Sequence, residues 1–186
     1  MKTVVLLSGG LDSAVCLHLM VKERGQEGVL AITVDYEQPH QVEVEYAALL
    51  AKRVGVSHRV VTIRGLYDAN SGGFFSEDAD LSVAAQTVVP MRNLILLSHA
   101  AVHGDVVVIG ANRDDQDDYP DCRQEFFNEA SKALGVKIEA PLISKTKSEV
   151  IALAADLGIE LSDTLSCYRG ANCGSCAACL LREGAL

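Results

Sequence analysis

Residues Ser8-Gly9-Gly10-Leu11-Asp12-Ser13 stand directly after the apolar run Thr3-Val4-Val5-Leu6-Leu7 and open a helical pattern from Ala14 to Lys22. Two glycines let the backbone bend tightly and approach an anion closely. Successive N–H groups, two hydroxyls and the positive end of a helix then point at one place, which is the chemistry of phosphate binding. The spacing is neither the Walker pattern G-x-x-x-x-G-K-[ST] nor the dinucleotide fingerprint G-x-G-x-x-G. A plain strand–turn–helix junction capped by Ser8 or Asp12 is the bland alternative, and the position directly after a strand favours the phosphate reading. A second constellation lies near the other end: Cys167, Cys173, Cys176 and Cys179, spaced C-x5-C-x2-C-x2-C. Four thiols so spaced suit tetrahedral S₄ coordination, with Gly174 at the knuckle. A closed structural zinc site is the first choice. An iron–sulfur cluster is the second, because cysteines at this spacing recur there. So short a ribbon buries too little apolar surface to hold itself together, so metal binding would supply its folding energy.

These residues need a frame, and the chain alternates strand and helix in a βαβ manner. Strands are expected at Thr3–Leu7, Val29–Asp35, His58–Ile63 and Asp105–Gly110. Near-continuous apolar runs such as Val106-Val107-Val108-Ile109 suit a parallel sheet covered on both faces. Helical spacing predicts helices over Ala14–Arg24, Gln41–Val54, Asn93–His103, Phe126–Leu134 and Lys147–Leu157, the last with Thr146 and Glu149 as a capping box. Together these predict a doubly wound α/β domain over 1–162 and a short Cys-rich module over 163–186. The irregular stretch Gly65–Val89 is expected to be a lid or mobile segment.

Composition narrows the function classes. The 186 residues are 49% hydrophobic, enough to bury a substantial core in one domain with a small appendage. The net charge of −9 argues against a nucleic-acid face and for a small-molecule substrate. No apolar run approaches the roughly 18–20 residues of a membrane span, and Met1-Lys2-Thr3 leads straight into strand, so a cytoplasmic protein is expected. Clustered thiols in such a chain read as metal ligands rather than disulfides. Cys16 is expected in the core and Cys122 in a pocket wall.

Further motifs appear in a fixed order: Asp35-Tyr36-Glu37-Gln38-Pro39-His40 after the second strand, Val89-Pro90-Met91-Arg92-Asn93 before the third helix, Gly110-Ala111-Asn112 and Tyr119-Pro120-Asp121-Cys122-Arg123 after the fourth strand, and Ala140-Pro141-Leu142 before Thr146-Lys147-Ser148-Glu149. The opening loop resembles the S-G-G-x-D-S loop of the ATP pyrophosphatases, which split ATP into AMP and pyrophosphate. With the other motifs and the four cysteines, the chain from Val4 to about Leu186 resembles the 7-cyano-7-deazaguanine synthase family of the queuosine pathway.

That resemblance implies a five-stranded sheet of order 3-2-1-4-5 in the adenine-nucleotide alpha-hydrolase type of fold, a homodimer, and zinc on the four cysteines. It also implies ATP-dependent conversion of 7-carboxy-7-deazaguanine and ammonia into the nitrile, through adenylated carboxylate and amide stages. A carboxylate is a poor electrophile, and transfer to AMP gives it a leaving group; the site must hold α-phosphorus and carboxylate in line. On this reading Leu7, Ser8, Gly9, Gly10, Leu11, Asp12 and Ser13 bind the nucleotide, Asp12 orients Mg²⁺, Lys147 is a second phosphate clamp, and Arg92 is another cation near nucleotide or product. Asp12, Ser13, Lys147 and Arg123 are the catalytic candidates. Gln38, His40, Asn112, Tyr119, Asp121 and Arg123 are the candidates to hold the deazaguanine, Asp121 at its N1–H and 2-amino group, Arg123 at its carboxylate, Tyr119 by stacking.

The chain departs from the family pattern where Glu37 and Pro39 replace Gly and Arg, where Asp117-Asp118 replace Ser-Gly, and where Met91 replaces a Gly before Arg92-Asn93. These changes gather at the expected substrate mouth and leave two alternatives open. One is a homologue that stops at an amide or joins the activated carboxylate to another amine such as a protein N-terminus; the other is a non-catalytic nucleotide-binding module.

Overall fold

The computed structural model describes residues 2–39, 41–68, 71–76, 78–171 and 173–184. Five parallel strands, β1 (Thr3–Leu6), β2 (Val29–Asp35), β3 (Ser57–Thr62), β4 (Val106–Val108) and β5 (Lys137–Glu139), form one sheet in the order β3-β2-β1-β4-β5. Pleating sends alternate side chains to opposite faces. Val4 and Leu6 therefore join one buried cluster, and Val5 and Leu7 the other. On the Val5 face pack α1 (Leu11–Arg24), α2 (Val42–Val54) and α5 (Lys147–Asp156), through residues such as Leu17, Leu50 and Val150. On the Val4 face pack α3 (Arg92–Ala101) and α4 (Gln124–Leu134), through Leu97 and Phe127. This is the expected doubly wound architecture.

Local chemistry sets the element ends. Gly55 and Gly135 close α2 and α4 in the left-handed region, at φ 78° and 68°. The Thr146 hydroxyl accepts from the Glu149 N–H at 3.2 Å while the Glu149 carboxylate accepts from the Thr146 N–H at 2.7 Å, the capping box that fixes the start of α5. Cys16 is fully buried, and burial raises its thiol pKa. Among the described residues no helix is long and apolar enough to cross a membrane.

Two of the departures from glycine fall on backbone that favours glycine. Glu37 has φ 62° and Met91 φ 60°, the only non-glycine residues with positive φ among those described. Left-handed backbone costs an L-residue about 1–2 kcal/mol. Glu37 offsets this through its side chain, which accepts from the Gly65 N–H at 2.8 Å and pairs with Arg64 at 3.5 Å, tying β2 to the start of the lid. Met91 is 60% exposed and has no such anchor. Met91→Gly is expected to raise the melting temperature by about 1–3 °C, read from thermal unfolding of both proteins.

Candidate active site

A cavity of about 500 Å³ opens at the carboxyl ends of β1, β2 and β4. It lies where the strand order reverses around β1, the place where open α/β sheets bind ligands. The turn from β1 into α1 forms one wall. Gly9 sits at φ 83°, and a Cβ there would lie 2.6 Å from the Glu43 carbonyl oxygen, so only glycine fits. Across the cleft, a Cβ on Gly110 would lie 2.8 Å from the Asp12 carbonyl carbon, so β4 also meets this turn closely. The Ser13 hydroxyl donates to the Gly10 carbonyl at 2.9 Å and accepts from the Ser8 N–H at 3.1 Å, while the Gly10 N–H donates to the Ser8 hydroxyl at 3.3 Å, so the two hydroxyls set the shape of the turn from within.

At the far lip of this turn the Lys147 ammonium meets the Asp12 carboxylate at 2.5 Å, with Lys147 almost wholly buried. Asn112, fully buried, donates to the other Asp12 oxygen at 3.3 Å and uses its own side-chain oxygen to hold the Asp114 and Asp115 N–H groups. Asp114 accepts from the Lys147 N–H at 2.7 Å. Burial first, then the neighbouring Asp12 carboxylate, pushes the Asp115 carboxyl up to about 6. Its charge therefore strains the fold above pH 6 and does not below pH 4, where it is protonated in both folded and unfolded states. Asp115→Asn is expected to stabilise the protein by about 1–3 kcal/mol at pH 8. That gain should shrink as pH falls through 6 towards 4, which paired thermal melts at pH 8 and 4.5 would check.

The other end of the cavity is aromatic and amide-lined. Tyr36, whose hydroxyl pairs with Arg92, is kept a neutral phenol by burial, its pKa pushed up to about 12. The Tyr119 hydroxyl bonds Thr87 of the lid and lies 3.2 Å from the Tyr168 hydroxyl. Burial likewise holds the Cys122 thiol up at about 12, so it serves as wall and not as nucleophile. Within the 65–89 stretch, Tyr67 stacks on Phe75 at 5.1 Å, and both meet Tyr36.

Of the residues expected from sequence, Leu7, Ser8, Gly10, Asp12, Ser13, Gln38, Arg92, Tyr119 and Lys147 line this one cavity. Leu11 is buried in the core, Gly9 shapes the turn, and Asn112 braces Asp12 from behind. His40 lies outside the described residues. Asp121 and Arg123 are placed differently from the expectation. The short 3-10 turn Pro120–Cys122 sets residues three apart on one side, so Tyr119 and Cys122 face the cavity while Asp121 and Arg123 do not line it. Asp121 instead braces α3, accepting from the Asn93 N–H at 3.3 Å and from its side-chain amide at 3.0 Å. Arg123 is exposed and donates to the Gln116 carbonyl at 2.8 Å. Tyr36, Asn93 and Tyr168 carry no role readable from the sequence, although each sits in or beside one of its motifs.

The four cysteine sulfurs lie within 4.8 Å of one another. Four thiolates at about 2.3 Å from one ion stand roughly 3.8 Å apart, so this donor set fits a tetrahedral metal. The Ser175 hydroxyl and N–H hold the Cys173 thiol down at about 6, favouring the thiolate that a metal needs. The chain does not leave the cysteine knuckle as a loose ribbon but winds into α6 (Ala177–Gly184). Ala177, Ala178, Leu180 and Leu181 of this helix complete the cavity wall. The Leu165 N–H donates to the Gly9 carbonyl at 2.9 Å, and the Ala177 N–H to the Leu81 carbonyl of the lid at 2.7 Å. The cysteine segment thus touches the Ser8–Ser13 turn and the 65–89 stretch together.

Comparison with known proteins gives this site its relatives. The family model described as queuosine biosynthesis protein QueC matches residues 2–186. A protein of Thermoplasma acidophilum named 7-cyano-7-deazaguanine synthase is 38% identical, over 97% of this chain and 85% of its own length. One of Brucella ovis with the same name is 35% identical, over 100% of this chain and 88% of its own. Among solved structures, NMN synthetase from Francisella tularensis shares the fold with a TM-score of 0.57 at 23% identity, over 87% of this chain and 63% of that one. With the family model spanning nearly every residue, and with the Ser8–Ser13 turn, the Tyr119–Arg123 string and the four cysteines in place, the chain belongs to the queuosine biosynthesis protein QueC family.

Proposed function

We propose that this chain uses ATP to convert 7-carboxy-7-deazaguanine and ammonia, through the amide, into 7-cyano-7-deazaguanine. The observation that carries this reading is the single cavity joining a phosphate turn to an aromatic, amide-lined end in a chain of this family. A carboxylate oxygen attacks the α-phosphorus of ATP at the Ser8–Ser13 turn, and pyrophosphate leaves. Ammonia then attacks the acyl carbon, and AMP departs with that oxygen. The amide oxygen takes a second AMP in the same way, and loss of that AMP and two protons leaves the nitrile. Ser8, Gly10 and Ser13 hold the phosphates, and Lys147 carries the charge that offsets the developing pyrophosphate. Among the described residues the cysteines are the only group of three or more His, Cys, Asp or Glu side chains so closely gathered. Mg²⁺ would therefore be held by Asp12 and the phosphates jointly, as is usual for that ion. Cys167, Cys173, Cys176 and Cys179 would hold Zn²⁺, which supplies folding energy to 163–186 rather than chemistry.

Incubation with ATP, the carboxylate and ammonia, followed by mass spectrometry, tests this. The expected product is the nitrile, with two AMP released for each. Amide or adenylate without nitrile would instead assign the chain to amide formation or to conjugation with another amine. No AMP with any acceptor would reduce it to a nucleotide-binding module.

A further inference from the structure

Two buried amides in the cavity wall carry hydrogen-bonding atoms with no partner among the described residues, and their polarity is fixed. Gln38 is 3% exposed and lines the cavity. Its side-chain oxygen accepts from the Tyr36 N–H at 3.0 Å. Because that partner is a donor, the oxygen must face it, and the Gln38 NH₂ group is left over. Asn93 is 6% exposed and lines the same cavity. Its side-chain nitrogen donates to the Asp121 carbonyl at 3.0 Å and to the Cys122 sulfur at 3.4 Å. That orientation leaves the Asn93 carbonyl oxygen over. Neither amide can flip without losing a backbone partner, so the usual O/N ambiguity does not arise. Both line the one cavity, and a chain of contacts through Tyr36 runs from one towards the other: Gln38 holds the Tyr36 N–H, and the Tyr36 hydroxyl pairs with Arg92, the sequence neighbour of Asn93.

A buried donor or acceptor left unpaired costs about 1–3 kcal/mol, and sites that keep such groups discriminate strongly for the ligand that satisfies them. We infer that Gln38 and Asn93 together read the edge of a planar ring that offers a hydrogen-bond acceptor beside an N–H donor, the Gln38 amide donating and the Asn93 carbonyl accepting. Within the proposed function, on which this rests, two ligands present such an edge: the deazaguanine, by its carbonyl and ring N–H, and the adenine of ATP, by its ring nitrogen and exocyclic amine. Aromatic neighbours Tyr36 and Tyr119 suit either ring.

Calorimetric binding to the full chain separates the sources without turnover, using 7-carboxy-7-deazaguanine in one arm and α,β-methylene-ATP in the other. The variant is Gln38→Glu, studied at pH 8.5, which still accepts from the Tyr36 N–H but turns the donor into a second acceptor. Affinity is expected to fall about tenfold or more in one arm, which names the ring, and to stay within twofold in the other. Ligand changes test the Asn93 half on the unaltered protein, so folding of the variant is not at issue. Methylating the ring N–H of the carboxylate, or both hydrogens of the ATP exocyclic amine, should cost about tenfold in the same arm. The inference is overturned if Gln38→Glu leaves both affinities within twofold, or if neither methylated ligand binds more weakly. If the carboxylate does not bind the unaltered protein at all, the proposed function fails, while the ATP arm still decides the role of these amides.

Discussion

Replacing Lys147 with methionine is expected to cut AMP formation by about 10²–10³-fold with any acceptor, the usual effect of removing one preorganised charge from a reacting centre. The physical basis is the crowding of charge at the lip of the phosphate turn. Asp12, Asp114 and Asp115 all approach this lip, and the Lys147 ammonium meets Asp12 at 2.5 Å. A polyphosphate entering here meets stronger repulsion when that cation is removed. The same change strips Asp12 of its charged partner and leaves it only the Asn112 amide, at a stability cost of about 1–3 kcal/mol. Lys147→Met combined with Asp12→Asn should therefore recover the melting temperature without recovering AMP release. Quantified AMP and thermal melts for both variants check this. Lys147→Met retaining AMP formation within threefold would make the residue a structural partner only.

The second large effect is expected from metal removal. Stripping the four-cysteine site should lower the melting temperature by about 5 °C or more and weaken ATP binding by about tenfold. The reason lies in what the segment touches. Arg182 of α6 donates to the Thr164 carbonyl at 3.2 Å and also to Leu161, pinning the approach to Cys167. Leu165 then holds the Gly9 carbonyl, Tyr168 meets Tyr119, and α6 walls the cavity. Four unligated sulfurs within 4.8 Å offer little to keep that arrangement, and mutual repulsion as they ionise opposes it. Protein shown by elemental analysis to be metal-free, yet melting and binding ATP as before, would contradict this role.

Much of this was legible in the sequence for reasons that are local. The apolar runs of β1 and β2 are buried on both faces, so their composition alone marks them as central parallel strands. The Thr146–Glu149 box is a short-range signal, and the start of α5 at Lys147 agrees with it. β5 gave no such signal. Its three residues, Lys137, Ile138 and Glu139, lie at the sheet edge, half exposed, where no apolar run is required. α6 escaped prediction because its eight residues come directly after the cysteine knuckle, where ligand spacing dominates the local pattern.

Within the site, the Ser8–Ser13 turn was legible as a cavity wall because its residues are contiguous. The opposite wall was legible only in part: Gln38, Arg92 and Tyr119 came from its motifs, whereas Tyr36, Asn93, Tyr168 and α6 join it only in three dimensions. Asp121 and Arg123 show the limit plainly. A motif identifies which residues matter together, but whether each faces the ligand depends on one turn of 3-10 helix. Tyr119 and Cys122 face inward there, and Asp121 works through Asn93 instead.

The central claim is that the cavity brings the α-phosphorus of ATP to a carboxylate. It is tested most directly by following oxygen. With 7-carboxy-7-deazaguanine labelled with oxygen-18 in its carboxylate, in the presence of ATP and ammonia, each AMP formed should carry one labelled oxygen. Unlabelled AMP, with the label retained in the deazaguanine product or absent from every nucleotide, would mean that water attacks the phosphorus and that this site does not adenylate the carboxylate.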